Sequence, residues 1–236
     1  MRCPDPFRGF SVGQSRQVDL SEASRMKLLE EYVTMRMRNN RGWPVPESSW
    51  GLDSLYGEAG WCKSCGMPLI EQVGALRLQR RGLAKVPDVW MPNWRFDVIC
   101  VSESLVEPLS SFPVDLRDVE WSNGDLAPFK QLVFPTIQPH WFEPNRLRER
   151  LERVHGVAGA ECKACDRWRW MPLKPGEFPD VLGMDGWMGR HFVGASPEWF
   201  GDGWVCFREF AMLREIGELL YRNSPREFSL AALSSA

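Results

Sequence analysis

Two Cys-x-x-Cys pairs, Cys62/Cys65 and Cys162/Cys165, stand one hundred residues apart in the same longer frame. Residues 56–69 read Y-G-E-A-G-W-C-K-S-C-G-M-P-L, and residues 155–173 read H-G-V-A-G-A-E-C-K-A-C-D-R-W-R-W-M-P-L. Both contain G-x-A-G, then C-K-x-C, then M-P-L. Two thiolates from one tight turn are half of a tetrahedral zinc site. Residues 1–139 contain no histidine, so a separate site on the first pair would have to recruit Cys3, Cys100 or carboxylates. Pooling Cys62, Cys65, Cys162 and Cys165 needs no further ligand. The expectation is one structural zinc shared by both pairs, with two separate sites, another metal or free thiols as the alternatives. Cys100 and Cys206 lie in apolar runs and read as small buried hydrophobes.

A redox reading competes with the metal reading. Trp61-Cys62-Lys63-Ser64-Cys65 has the spacing of a dithiol active site, but such a thiol sits at a helix N-terminus, which lowers its pKa. Gly66 and Pro68 follow immediately and argue for a turn. His140, His155 and His191 have no partner at metal-binding spacing. No nucleophile elbow, phosphate-binding glycine loop or paired-carboxylate frame occurs, so the sequence reads as a non-enzyme.

The frame continues beyond the thiols. Pro92-Asn93-Trp94 and Pro197-Glu198-Trp199 each precede an apolar run carrying Cys100 or Cys206. Helical stretches over 104–110 and 210–221 follow, then proline turns, then alternating segments over 115–121 and 228–233. The pattern predicts an α+β fold of two pseudo-symmetric units, each a zinc knuckle followed by strand, helix and strand. The expected divisions are 1–55 (an N-terminal helix over 19–38 and an extended connector over 43–55), 56–121 (first unit), 122–154 (strand and connecting helix) and 155–236 (second unit). Asp19 and Glu22 frame the first helix start, with Leu28, Leu29, Tyr32 and Val33 on its apolar face. Pro135 marks 131–137 as an edge strand. Pro144 suits the first turn of a helix to residue 154, with Leu147, Leu151 and Val154 on one face.

The chain has 236 residues, 44% of them hydrophobic and 25% charged, with a net charge of −2, so no global basic field points to nucleic acid. No apolar run reaches the roughly 18 residues of a membrane span, and no signal-peptide core opens the chain. A cytoplasmic setting follows as an expectation, in which cysteines serve as thiols and metal ligands. Twelve tryptophans are an excess over ordinary composition. They brace a core, or they anchor a partner protein, since Trp and Arg dominate interface hot spots. Trp168, Trp170, Trp199 and Phe200 are the candidate anchors. Arg167-Trp168-Arg169-Trp170 alternates as a strand does, placing both arginines on one face. The stretch 197–203 reads as a turn, either a hairpin tip or a binding loop. The Arg77/Arg80/Arg81 and Arg146/Arg148/Arg150/Arg153 clusters support the alternative of a zinc-ribbon-like regulator that binds nucleic acid.

The twin C-K-x-C frames, each followed by strand, helix and alternating segment, resemble the double-CXXCG motif family. Its best-known members are myxobacterial immunity proteins that neutralise swarm-inhibition toxins. Cys62-Lys63-Ser64-Cys65-Gly66 matches CXXCG fully, whereas Asp166 replaces the last glycine in the second copy. Aspartate tolerates a left-handed turn better than most residues, so the metal reading survives the departure. The resemblance spans about residues 56–236 and implies a non-catalytic cytoplasmic protein whose partner is a toxin.

Overall fold

A computed structural model of the chain describes residues 31–38, 44–47, 49–80, 86–138, 140–174, 177–179, 181, 191–202 and 205–233. The elements run β1 (Tyr32–Met37), α1 (Leu52–Tyr56), β2 (Leu76–Leu78), β3 (Val89–Trp90) and β4 (Ile99–Ser102). A 3-10 turn (Glu103–Leu105) then leads into α2 (Val106–Leu109), β5 (Asp115–Trp121), β6 (Leu126–Val133) and α3 (Pro144–His155). The second half holds β7 (Gly159–Cys162), β8 (Arg167–Trp170), β9 (Val193–Asp202), β10 (Val205–Leu213), α4 (Arg214–Asn223) and β11 (Phe228–Ala232). The class is α+β, with most of the structure in two sheets.

One sheet has the order β2-β5-β6-β4-β3 and the other β11-β1-β10-β9-β8-β7. Each contains an antiparallel run of four strands, β5-β6-β4-β3 and β11-β1-β10-β9. The second strand in each run lies outside the unit expected to build that sheet, β6 just after 56–121 and β1 far before 155–236. β6 lies between β5 and β4, and β1 lies between β11 and β10. Arg36 of β1 is clamped to Glu209 of β10 by a paired ionic contact, with Nη1 to Oε1 at 3.0 Å. α4 presses onto β1, where a Cβ on Gly217 would sit 2.4 Å from Val33 Cγ2.

β4 and the second half of β10 are buried on both faces, which is why they read as continuous apolar runs. Ile99 and Val101 of β4 and Phe210 and Met212 of β10 point into one core between the sheets, joined by Leu105, Leu109, Ile216 and Leu220. Cys100 faces the other way, into a core beneath α1 with Leu52, Leu55 and Trp61. Ala211 likewise faces a core under α3 with Leu147, Leu151 and Trp141. α3 starts where expected: Pro144 occupies its first turn, and the Glu143 carboxylate accepts from the Asn145 and Arg146 amides.

Several expectations are corrected. The segment 32–37 is strand, so the helix expected over 19–38 does not reach Tyr32; residues 19–30 lie outside the described residues. Tyr-Val-Thr-Met-Arg-Met suits a strand buried against two neighbours, and tertiary pairing overrides the helical spacing of its apolar residues. The connector over 43–55 contains the short helix α1, bounded by left-handed Gly51 and by Gly57. β6 is central, not an edge. It ends before Pro135, and Pro128 is tolerated because the β5–β6 register is irregular there. Residues 197–202 are part of β9, not a turn, and Pro197 lies opposite the register shift between Arg208 and Phe210. Residues 210–213 belong to β10, so α4 begins at Arg214. Val154 stands 41% exposed, off the buried face of α3.

Candidate metal centre

The first thiol pair is built by a tight loop. The Cys62 amide donates to the Met67 carbonyl at 2.8 Å, the Gly66 amide to the Cys62 carbonyl at 2.8 Å and the Leu69 amide to the Gly60 carbonyl at 2.8 Å. The second pair sits in the turn between β7 and β8, where Cys162 faces Arg167 and the Asp166 amide donates to the Cys162 carbonyl at 2.8 Å. Both turns need a left-handed residue just after the second cysteine. Gly66 has φ 74° and Asp166 has φ 54°. This is the geometry expected of the Gly-to-Asp departure, since a short polar side chain adopts that region at modest cost.

The two turns bring all four sulfurs together. The Sγ atoms of Cys62, Cys65, Cys162 and Cys165 lie within 4.8 Å of one another, and among the described residues they form the group able to hold a metal. Cys62 Sγ is 3.8 Å from Cys162 Sγ, and Cys65 Sγ is 3.8 Å from Cys165 Sγ. A tetrahedron with Zn–S arms of about 2.3 Å has edges of about 3.8 Å, so the spacing fits zinc. It is far too long for disulfides of about 2.05 Å. Hard cations prefer oxygen donors, whereas a set of four thiolates suits zinc.

Without a cation the cluster resists ionisation. The Ala164 amide draws the Cys162 thiol down to about 7. Burial pushes Cys65 and Cys165 up. One thiolate is therefore accessible, and further negative charges beside it are opposed by burial and like-charge repulsion. A divalent ion reverses this, because its charge favours all four thiolates together.

Residues around the cluster hold the turns in place. Asp53 of α1 accepts from Trp61 Nε1 and from Lys63 Nζ, both at 2.9 Å. Its carboxyl is held below the usual range, chiefly by the Lys63 hydrogen bond. The Lys63 ammonium lies 3.6 Å from the Trp61 ring centroid. From the other half, Arg167 donates to the Pro68 and Leu69 carbonyls at 3.2 and 3.0 Å, and Arg169 to the Cys65 carbonyl at 3.0 Å. The alternation of R-W-R-W in β8 thus aims both arginines at the first knuckle. The alternation was visible in the sequence; its target was not. Nothing local flagged Asp53.

Cys100 is fully buried in an apolar core, and burial pushes its thiol up. Cys206 is also buried, but its thiol donates to the Cys65 carbonyl at 3.4 Å, so it is more than a packing residue. Cys100→Ala and Cys206→Ala are expected to retain zinc and to cost about 1 kcal/mol each from lost packing, with Cys206→Ala the larger. Metal content and urea unfolding of the two variants check this; zinc loss in Cys100→Ala would contradict the ligand assignment.

The histidines lie elsewhere. His155 contacts the Pro172 carbonyl at 2.8 Å, and His140 contacts the buried Glu198 carboxylate at 3.1 Å. Several arginines of the two clusters have partners, and Arg81 lies outside the described residues. Arg77 pairs with Glu120 at 2.8 Å, Arg148 lies over the Trp168 and Trp170 rings at 4.9 and 5.8 Å, and Arg150 donates to the Glu177 carbonyl. Trp168 and Trp170 are half-buried with ring centroids 5.4 Å apart. Trp199 is half-buried beneath the Arg208 guanidinium, 5.1 Å from its ring centroid. Phe200 is fully buried among Phe142, Phe178 and Phe207, so it offers no surface to a partner.

No family model and no curated protein matches the chain. Among the described residues no helix is long and apolar enough to cross a membrane.

Proposed function

We propose that this chain is a zinc-stapled binding protein that acts by occupying a partner protein's surface. The four-thiolate cluster carries this reading. A zinc ion held by four cysteines has no open position for water or substrate, so it is structural. The two halves are read as related units joined back to back by that ion, each lending one strand to the other's sheet. The twin left-handed turns and the matched four-strand runs support that reading.

The half-buried tryptophans supply the candidate anchors. Trp168, Trp170 and Trp199 each carry an arginine over the ring, and such aromatic–arginine groupings suit the centre of a protein interface. A toxin is the partner class that the twin-CxxC resemblance implies. The partners of Arg77, Arg148 and Arg150 lend no specific support to nucleic-acid binding.

Trp168→Ala, Trp170→Ala and Trp199→Ala are each expected to weaken partner capture from native lysate, the anchoring ones by about 2 kcal/mol or more. Zinc content should stay unchanged. A triple variant that keeps its zinc and captures the same protein at wild-type strength would place the interface elsewhere. Steeply salt-dependent binding of DNA or RNA by the purified protein would favour the regulator reading instead.

A further inference from the structure

We propose that the cleft between the two sheets is a binding site for a small oxyanion, a carboxylate or phosphate group, held by Arg95 and Arg208. This goes beyond the partner-surface reading and does not depend on it. A cavity of about 300 Å³ opens there, walled by Tyr56, Arg95, Asp97, Arg117, Gln131 and Arg208. A second cavity of about 280 Å³ shares Tyr56 and Arg208 with it. The space is at the small end of ligand sites, which run from roughly 300 to 1,000 Å³, so it suits a small molecule.

Arg95 is the reason to expect an anion. It is 2% exposed, and its Nε and Nη2 atoms have no hydrogen-bond acceptor. Asp97 Oδ1 lies 3.3 Å from Nη2, close enough for charge attraction but not aligned for a hydrogen bond. Tyr56 lines the cleft beside the guanidinium. Across the cleft, Arg208 spends Nη1 on Thr136 and Nη2 on the Phe134 carbonyl, and its Nε is likewise buried without an acceptor.

Other polar groups of the cleft have partners: the Glu71 carboxylate accepts from the Thr136 hydroxyl, and Asp115 lies 3.4 Å from Arg117. The Gln72 and Gln131 amides bond each other at 2.9 and 2.8 Å, and Arg117 donates to the Gln72 carbonyl at 2.8 Å. Three buried guanidinium nitrogens, Arg95 Nε and Nη2 and Arg208 Nε, are therefore left over, with Asp97 Oδ1 the neighbouring carboxylate oxygen that is itself without a hydrogen bond. Buried guanidinium donors without acceptors are costly, and oxyanions are the acceptors that match guanidinium edges best. A macromolecular ligand is disfavoured because Arg95 is too deeply buried to reach a surface.

The test uses full-length, zinc-loaded protein and the arginine Nε–Hε signals in proton–nitrogen correlation spectra. Inorganic phosphate and acetate are titrated as separate arms, each matched to sodium chloride of equal ionic strength. Saturable shifts of the Arg95 and Arg208 signals, absent with chloride, are expected, and the tighter arm identifies the oxyanion. Arg208→Gln should weaken that binding at least about tenfold, as loss of a charge-assisted contact does, while zinc content is retained. Arg95→Lys should weaken it as well, since the ammonium lacks the forked edge. No saturable shift in either arm, the same shift with chloride, or unchanged binding by Arg208→Gln would overturn the proposal.

Discussion

Cys62→Ser and Cys162→Ser are each expected to abolish zinc binding and cooperative folding, and by similar margins. The two residues lie in different halves of the chain, yet their sulfurs are 3.8 Å apart in one cluster. Loss of either leaves three thiols around a site that must hold a divalent ion. A structural zinc contributes apparent binding free energy on the order of 10 kcal/mol, which is folding free energy where the site exists only in the folded chain. Total stabilities are about 5–15 kcal/mol, so that loss decides whether the fold persists. Metal analysis should give one zinc per wild-type chain, with sulfur alone in the first shell by X-ray absorption. Chelation of the wild type should reproduce the unfolding of both variants. Two zinc ions, a nitrogen ligand, or one silent serine variant beside one that unfolds would each refute the shared site.

The four-cysteine cluster was legible because its chemistry is written locally. Two C-x2-C turns and a shortage of histidine leave few ways to complete four ligands, and no distant fact is needed to see it. The left-handed turn after each pair was legible for the same reason, since Gly66 and Asp166 are among the residues that tolerate it. Strands β4, β5 and β11 and helix α3 also carried their own signals, in an apolar run, alternation or a capped amphipathic stretch. The strand pairing did not. β1 meets β10 and β11 across nearly two hundred residues, and no spacing within Tyr32–Met37 names those partners. Its burial on both faces removed the alternation that would have marked a strand, and leucines upstream supplied a helical period. Phe200 failed as a surface anchor for a related reason. Its neighbours in sequence looked like a turn, but β9 continues through it and buries it under α3. The Arg95–Asp97 pair was equally silent, because its significance depends on β10 of the opposite sheet.

Separating the two halves of the chain is expected to unfold both. A cut between Asp125 and Leu126 falls in the turn joining β5 to β6, where the Trp121 amide donates to the Asp125 carbonyl. In the 1–125 fragment β1 loses both β10 and β11. β4 and β5 lose the strand between them, leaving a gap of about two strand spacings of roughly 4.8 Å. The core between the sheets is split as well. Val33, Met35, Val89, Ile99 and Val101 stay on one side, while Leu132, Phe210, Met212, Ile216 and Leu220 go to the other. Exposing five large apolar side chains at about 1.5–3 kcal/mol each matches or exceeds the whole stability of a typical domain. Each fragment also keeps only two of the four clustered thiols, Cys62 and Cys65 or Cys162 and Cys165. Neither fragment alone should show a cooperative unfolding transition, by tryptophan fluorescence or circular dichroism. Mixed with zinc, they should assemble one to one around a single ion, visible by native mass spectrometry, and recover the transition. A 1–125 fragment that folds cooperatively as a zinc-free monomer would refute the mutual dependence of the halves, and with it the role of the metal as their staple.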